Sequence, residues 1–429
     1  MGSRIGFNLA VLLLQGPLGP FFKRVSQRLE ERGETVYKIN FNGGDDLFAS
    51  SSNSFDFSQS LEDWPCYLDS FVKLHRIKHL FVYGDCRGYH LRAKAVCLKL
   101  GVRYHAFEEG YLRPNYITLE EGGVNGHSPI QHGDVDLYKP SHNPKNEIKI
   151  SRNFYRRAAF SILYYVKSSL TGSKYRFYRH HRSFSPYYEL YCWLKAGCRK
   201  ILYRMTEFSS LEEIKKTPFF LVPLQVHNDA QLEHHSRFDS IEQFITEVLT
   251  SYRQANIAAR LVIKHHPMDR GHCDYRRYIR DEVARLKLFG KVDYVHDLHL
   301  PTLLKKCEGV VTINSTTALQ AFYHGASVKV LGNAFFDMKG LTDGKELQEF
   351  WHSPEPLDQE FSDRFKAYLL DHGQINGSYY SNETMTLDHL MTYLESRQII
   401  SKSVKRLIPA TNLQTLEPTT LQSDQQLNY

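Results

Sequence analysis

The chain has 429 residues, 42% of them hydrophobic and 24% charged. This is the composition of a folded protein of two or three domains, and it excludes intrinsic disorder as the main state. The net charge of +7 is local, because Arg152–Arg204 holds twelve Lys or Arg against one acid, Glu189, a charge of +11 that leaves −4 elsewhere.

Ile5–Leu14 reads as a buried first strand rather than a targeting segment, since its apolar run is short and no small-residue cleavage site follows. Pro20–Arg32 has helical spacing, and Thr35–Asn40 is extended. Leu61–Lys73 is helical, His79–Tyr83 a strand, Tyr89–Leu100 a helix and Val102–Phe107 a strand. Short strands separated by helices predict parallel βαβ units. Gly16-Pro17-Leu18-Gly19-Pro20 stands between the first strand and the first helix but lacks the spacing of a dinucleotide fingerprint.

Between Arg152 and Met205, Tyr, Phe, Arg and Lys interleave, which predicts two or three basic amphipathic helices inserted between domains. The alternation resumes at Pro218. Strands are predicted at Phe219–Leu224, Arg260–Lys264, Val292–Val295, Gly309–Ile313 and Ser327–Leu331. Helices are predicted at Ser240–Ala255, Tyr275–Leu288, Leu300–Cys307 and Thr316–His324. The expected division is therefore a first α/β domain over 1–150, a basic aromatic segment over 151–210, a second α/β domain over 211–400 and a frayed tail over 401–429. No run of about 20 apolar residues exists to span a bilayer. The seven cysteines form no C-x-x-C pair, which argues against a disulfide framework and a cysteine-ligated zinc site and for a reducing compartment.

Five stretches could carry chemistry, each at a predicted strand end. Asp85-Cys86-Arg87-Gly88-Tyr89-His90 offers an acid, a guanidinium and an imidazole for a polar ligand, or a helix cap with a solvated Arg. Glu108-Glu109-Gly110-Tyr111-Leu112-Arg113 sets two like charges side by side, which suits a base or a group that orients a hydroxyl. Gln225-Val226-His227-Asn228-Asp229 delivers one carboxylate among amides and His, as a nucleophile or base needs, or as a helix cap. A zinc site on His227, His234 and His235 is set aside, because no His-x-x-x-His spacing or Glu partner accompanies them. Lys264-His265-His266-Pro267 and Asn314-Ser315-Thr316 both suit an anion, through charge-assisted hydrogen bonds and backbone N–H groups. Two such sites in one domain point to a phosphate-bearing donor.

Taken in order, "YGDCRGYH", "FEEGYLRPNYITLEEGGVNG", "PLQVHNDAQLEHHS", "IKHHPMDRG", "VVTINSTTALQA" and "LGNAFFDMKGLT" resemble bacterial capsule polysaccharide biosynthesis proteins of the KpsS/LipB type. The resemblance implies a GT-B-like fold, two Rossmann-like domains facing a cleft. It implies a retaining β-Kdo glycosyltransferase that moves Kdo from CMP-Kdo to a phosphatidylglycerol-type lipid, beginning a poly-Kdo linker. A non-catalytic scaffold or export component of the capsule assembly complex is the alternative. Under the transfer reading Asp229 attacks the anomeric carbon, with Glu108 and Glu109 as further catalytic candidates. Gln225, Lys264, His266, Pro267, Asn314, Ser315, Thr316, Gln320, Asp85, Arg87 and Arg113 would bind substrate. Related modules carry Glu-Asp-Gly where this chain has Glu108-Glu109-Gly110, and Glu where it has Gln320. No metal is expected, because a donor carrying one phosphate needs no Asp-x-Asp motif. The implied location is cytoplasmic, on the inner face of the inner membrane, with the basic segment at the lipid, other capsule assembly proteins as partners and no nucleic acid.

Overall fold

The computed structural model describes residues 9–49, 53–133, 135, 138–139, 147–151, 153–179, 186–207, 212–214 and 216–400. The predicted Ile5–Leu14 strand is seen as β1 at Ala10–Leu13. Ile5–Asn8, Arg152, Arg182 and the tail 401–429 lie outside the described residues.

The first sheet joins β1, β2 (Thr35–Asn40), β3 (Ser54–Asp56), β4 (His79–Tyr83), β5 (Arg103–Glu109), β6 (Tyr116–Glu121) and β12 (Gln374–Asn376) in the order β12-β6-β5-β4-β1-β2-β3. β1 to β5 pair in parallel. β1 shows why its sequence is continuously apolar. Val11 and Leu13 enter one core with Phe21, Val25 and Leu29, while Leu12 enters another with Trp64 and Leu68. Successive side chains point to opposite faces, and helices cover both.

The second sheet joins β7 (Phe219–Pro223), β8 (Arg260–Lys264), β9 (Val292–Val295), β10 (Gly309–Thr312) and β11 (Val328–Val330) in the order β11-β10-β7-β8-β9, parallel throughout. Helix Ile241–Ala255 starts where the Ser240 side chain accepts from the Gln243 N–H. It buries Ile241, Phe244, Ile245, Val248, Leu249 and Tyr252 against this sheet. That spacing is one face of a 3.6-residue period. The two Rossmann-like domains expected from the sequence are both present.

The boundary of the second domain differs from the expected 211–400. After helix Gln359–Asp371 the chain crosses back, and β12 pairs antiparallel with β6 at the edge of the first sheet. Helix Glu383–Ser396 then packs Leu387, Leu390, Met391 and Leu394 into the core that holds Phe21, Val25 and Leu29. Arg28–Asp388 at 3.1 Å and Arg32–Glu395 at 3.3 Å flank the contact.

The inserted helices divide their allegiance. Helix Phe154–Leu170 lies on the first domain, where a Cβ on Gly43 would overlap Thr171 and one on Gly44 would overlap Tyr164. Glycine is required there by close approach. Tyr164 donates to Asp45 at 3.0 Å and accepts from Asn42 at 2.7 Å. Helix Pro186–Thr206 lies on the second domain. Tyr203 stacks on His296 with ring centroids 3.9 Å apart, and Glu207 accepts from the His296 and Asp297 amides at 2.9 and 2.8 Å. Among the described residues no helix is long and apolar enough to cross a membrane.

Candidate active site

Each sheet reverses its winding beside its own first strand, between β1 and β4 in one domain and between β7 and β10 in the other. The carboxyl ends of strands at such a reversal leave a crevice, because the helices on either side run away from it in opposite directions. Asp85 and Arg87 stand at the first reversal and Gln225, Asn314 and Ser315 at the second, while Glu108, Arg113 and His266 follow the adjacent strands β5 and β8.

In the second domain Gln225 follows β7 and Asn314 follows β10. Gln225 Nε2 donates to Asn314 Oδ1 at 2.9 Å, and the Asn314 N–H donates to Gln225 Oε1 at 3.1 Å. Gln225 Nε2 also reaches Asp229 Oδ2 at 3.3 Å. Asp229 caps helix Ala230–His235 by accepting from the Gln231 N–H at 3.0 Å, so the cap expected as an alternative is present as well. The carboxylate remains partly exposed. A cap bond occupies Oδ1 and an amide braces Oδ2, which fixes the carboxylate without neutralising it.

His266 follows β8. Its Nδ1 accepts from the Met268 N–H at 3.2 Å, which leaves Nε2 as the donor of a neutral ring. Burial lowers its pKa, opposed by the charges of Asp269 and Asp229. Pro267 is exposed at the start of the next short turn. Ser315 Oγ accepts from the Thr317 N–H at 3.2 Å and donates to Thr317 Oγ1 at 3.0 Å. Ser315 and Thr316 are partly exposed, and Gln320 is exposed one turn further on.

In the first domain Asp85 is buried. Its Oδ2 accepts from the Val124 N–H at 3.1 Å and pairs with His127 Nδ1 at 2.9 Å. Burial alone would raise the Asp85 carboxyl, but these bonds hold it below its ordinary value. Arg87 lies over the Tyr83 ring, 5.5 Å from its centre. Glu108 is half-buried, and its Oε1 accepts from the Glu109 N–H at 2.9 Å. Burial pushes its pKa up to about 7, and the Glu109 charge adds to the rise. Glu109 pairs with Arg157 of the insertion at 3.6 Å. Arg113 is exposed, and its Nε donates to the Gly110 carbonyl at 3.0 Å. Its charge lowers both the Glu108 pKa in its own domain and the His266 pKa in the other.

Lys264 does not join the group. It is buried and donates to the His296 carbonyl at 3.0 Å, and burial pushes it down to about 8. Arg270, six residues further on, is paired with Asp297. Both cations hold the His296–Asp297 turn, whose backbone N–H groups Glu207 of the insertion accepts from.

Three partnerships were not foreseen. His227 pairs with Asp269 at 2.7 Å through both its ring and its backbone N–H, and Asp269 raises the imidazole pKa to about 10. Tyr111 of the first domain stacks on Phe335 of the second at 4.2 Å. His235 meets the first domain, with Cys86 Sγ 3.6 Å from its Nε2 and the His127 ring edge-on at 4.4 Å between centres. With His227 on Asp269 and His234 exposed, the three histidines weighed for zinc do not form a ligand set.

Fold and site together define a two-domain α/β protein with polar groups converging at facing sheet reversals. A family model described as capsule polysaccharide biosynthesis protein matches residues 78–380. The capsule polysaccharide export protein KpsS of Escherichia coli is 39% identical over 375 residues, 86% of this chain and 96% of that protein. The capsule polysaccharide modification protein LipB of Neisseria meningitidis serogroup B is 38% identical over 383 residues, 86% of this chain and 91% of that protein. Among solved structures, KpsC of Thermosulfurimonas dismutans, titled beta Kdo 2,7 transferase, aligns with 90% of this chain and 99% of its own at 15% identity and a TM-score of 0.45. The chain belongs to the capsule polysaccharide biosynthesis protein family.

Proposed function

We propose that this protein is a retaining glycosyltransferase that moves Kdo from CMP-Kdo to a phosphatidylglycerol-type lipid and so begins the linker of a capsular polysaccharide. The observation that carries the reading is the Gln225–Asn314 amide pair, which braces the Asp229 carboxylate at a sheet reversal. Retention by double displacement needs a fixed carboxylate nucleophile. Asp229 attacks the anomeric carbon, and the bond to the CMP phosphate oxygen breaks. The acceptor hydroxyl then attacks the same carbon, gives its proton to a base and frees Asp229.

Glu108 is the base in this reading, since a carboxyl near pH 7 can accept that proton and release it. Glu109 is instead engaged with Arg157. His266 Nε2–H and the Ser315 and Thr316 hydroxyls stabilise the departing monophosphate, with Arg113 adding charge from the first domain. Transfer in this scheme uses no divalent cation on the phosphate.

The inserted helices are the membrane contact in this proposal. Helix Phe154–Leu170 exposes Ile162, Leu163, Val166 and Leu170, and helix Pro186–Thr206 exposes Leu194 and Ile201. Apolar side chains beside a surplus of cations suit an anionic interface. Incubation with CMP-Kdo and a lyso-phosphatidylglycerol, read by mass spectrometry, should show one added Kdo. A folded protein that transfers nothing would favour the scaffold or export alternative.

A further inference from the structure

We propose that Cys86, His127 and His235 bind one divalent ion of the zinc class at the seam between the two domains, with a fourth position open to water. Their ligand atoms all lie within 4.8 Å of one another. A tetrahedral zinc with Zn–S of about 2.3 Å and Zn–N of about 2.0–2.1 Å sets sulfur and nitrogen about 3.6 Å apart. The observed separation of Cys86 Sγ and His235 Nε2 is 3.6 Å. One thiolate and two imidazoles select zinc-class ions over magnesium or calcium, which require oxygen ligands.

The surroundings are built for it. His127 Nδ1 is engaged by Asp85 Oδ2, so its Nε2 is the atom left for a ligand. A buried carboxylate behind a histidine fixes the ring and raises its basicity toward a metal. A Cβ on Gly126 would overlap the His235 ring, so that position admits the imidazole only as glycine. The His235 carbonyl accepts from Asn314 Nδ2 at 3.0 Å and from the Asn333 N–H at 2.8 Å, which anchors the ligand to the second domain. On binding, the Cys86 thiol loses its proton to solvent as the sulfur–metal bond forms. The ion then ties the loop after β6 and the turn after β4 to the helix that begins at Asp229. It acts as a clamp on the cleft and takes no part in activating the donor. This inference does not depend on the transfer reaction.

The test uses the full-length protein stripped of metal and titrated with Co²⁺ as a spectroscopic stand-in for zinc. One equivalent should bind, with the thiolate-to-cobalt band and the intense d–d absorption of a tetrahedral site. Cys86→Ser should lose the thiolate band, and His127→Gln should weaken binding at least tenfold. Asp85→Asn should weaken it about ten- to a hundredfold. Cys66→Ser, at an exposed cysteine, should change nothing. Wild-type protein that binds no Co²⁺, or a Cys86→Ser variant that keeps the thiolate band, overturns the proposal. If Cys86→Ser does not fold, zinc-edge absorption of the loaded wild type decides. One sulfur at about 2.3 Å with nitrogen at about 2.0–2.1 Å supports the site, and a shell without sulfur overturns it.

Discussion

Gln225 and Asn314 lie 89 positions apart in the chain and exchange two hydrogen bonds, side chain to side chain and backbone to side chain. The exchange leaves no freedom to flip the Gln225 amide, because its oxygen is claimed by a backbone N–H. Its remaining N–H therefore has one orientation, toward Asp229.

Asp229→Asn should abolish Kdo transfer while the protein stays folded. Asn caps a helix about as well as Asp, so the bond to the Gln231 N–H survives while the nucleophile is lost. Asp229→Ala should lose activity equally and also about 0.5–2 kcal/mol of stability with the cap. Turnover by Asp229→Asn at more than a few per cent of wild type would remove this residue from the chemistry.

Glu108→Gln should remove the acid limb of the rate profile. A base must be ionised, so wild-type kcat/KM should fall as pH drops below about 7. Stability should move the other way. The folded state raises this carboxyl from 4.5 to about 7, so it binds the proton more tightly than the unfolded chain. Wild type therefore loses stability as pH rises from 4.5 through 7. The variant's melting temperature relative to wild type should climb over that window, and a constant difference would refute the shift.

The His227–Asp269 pair gives a slope of the same sign over a higher pH window. A histidine raised from 6.5 to about 10 contributes stability that is complete below 6.5 and lost as pH rises through 10. Wild type should lose stability over that interval, and His227→Gln should flatten the dependence. Denaturant titrations at pH 6, 8 and 10 measure both slopes.

Leu163→Glu, Val166→Glu, Leu194→Glu and Ile201→Glu together should release the protein from phosphatidylglycerol vesicles. Transfer to a vesicle-embedded acceptor should slow far more than transfer to a short-chain soluble one. Equal slowing of both would return these helices to solvent-facing packing. Neutralising Arg156, Arg157 and Lys174 is a poorer probe, because these pair with Glu383, Glu109 and Asp56.

Adding Mg²⁺ or Mn²⁺ should leave the initial rate of transfer unchanged. A several-fold activation would place a cation on the donor phosphate.

The central strands were legible because parallel strands buried on both faces read as unbroken apolar runs, as at Leu80, Phe81 and Val82. Three strands were not. β3 and β12 have three residues each, too few to show a period, and β6 falls just after the Glu108–Arg113 stretch, where no element is predicted. Candidate residues at strand ends were legible for the same topological reason. Direction was not: Lys264 ends β8 and His266 stands two residues on, yet the first turns inward and the second does not. Tyr164 and Tyr203, expected at the lipid, are buried against Asp45 and His296. Partnerships over long separations, such as Cys86 with His235, leave no trace in local spacing.

The return of the chain to the first sheet sets an order of assembly. The residues of the first domain are made first, but its edge strand at 374–376 and its covering helix at 383–396 are among the last described residues to leave the ribosome. Until then the antiparallel edge of β6 and the apolar face of Phe21, Val25 and Leu29 stay uncovered. Such surface is where nascent chains associate wrongly. The second domain holds all five of its strands between 219 and 330, and its core is complete once Phe361, Phe365 and Leu369 have been made, before the last pieces of the first. Completion of the domains thus runs against the numbering, with the later domain free to close before the earlier one.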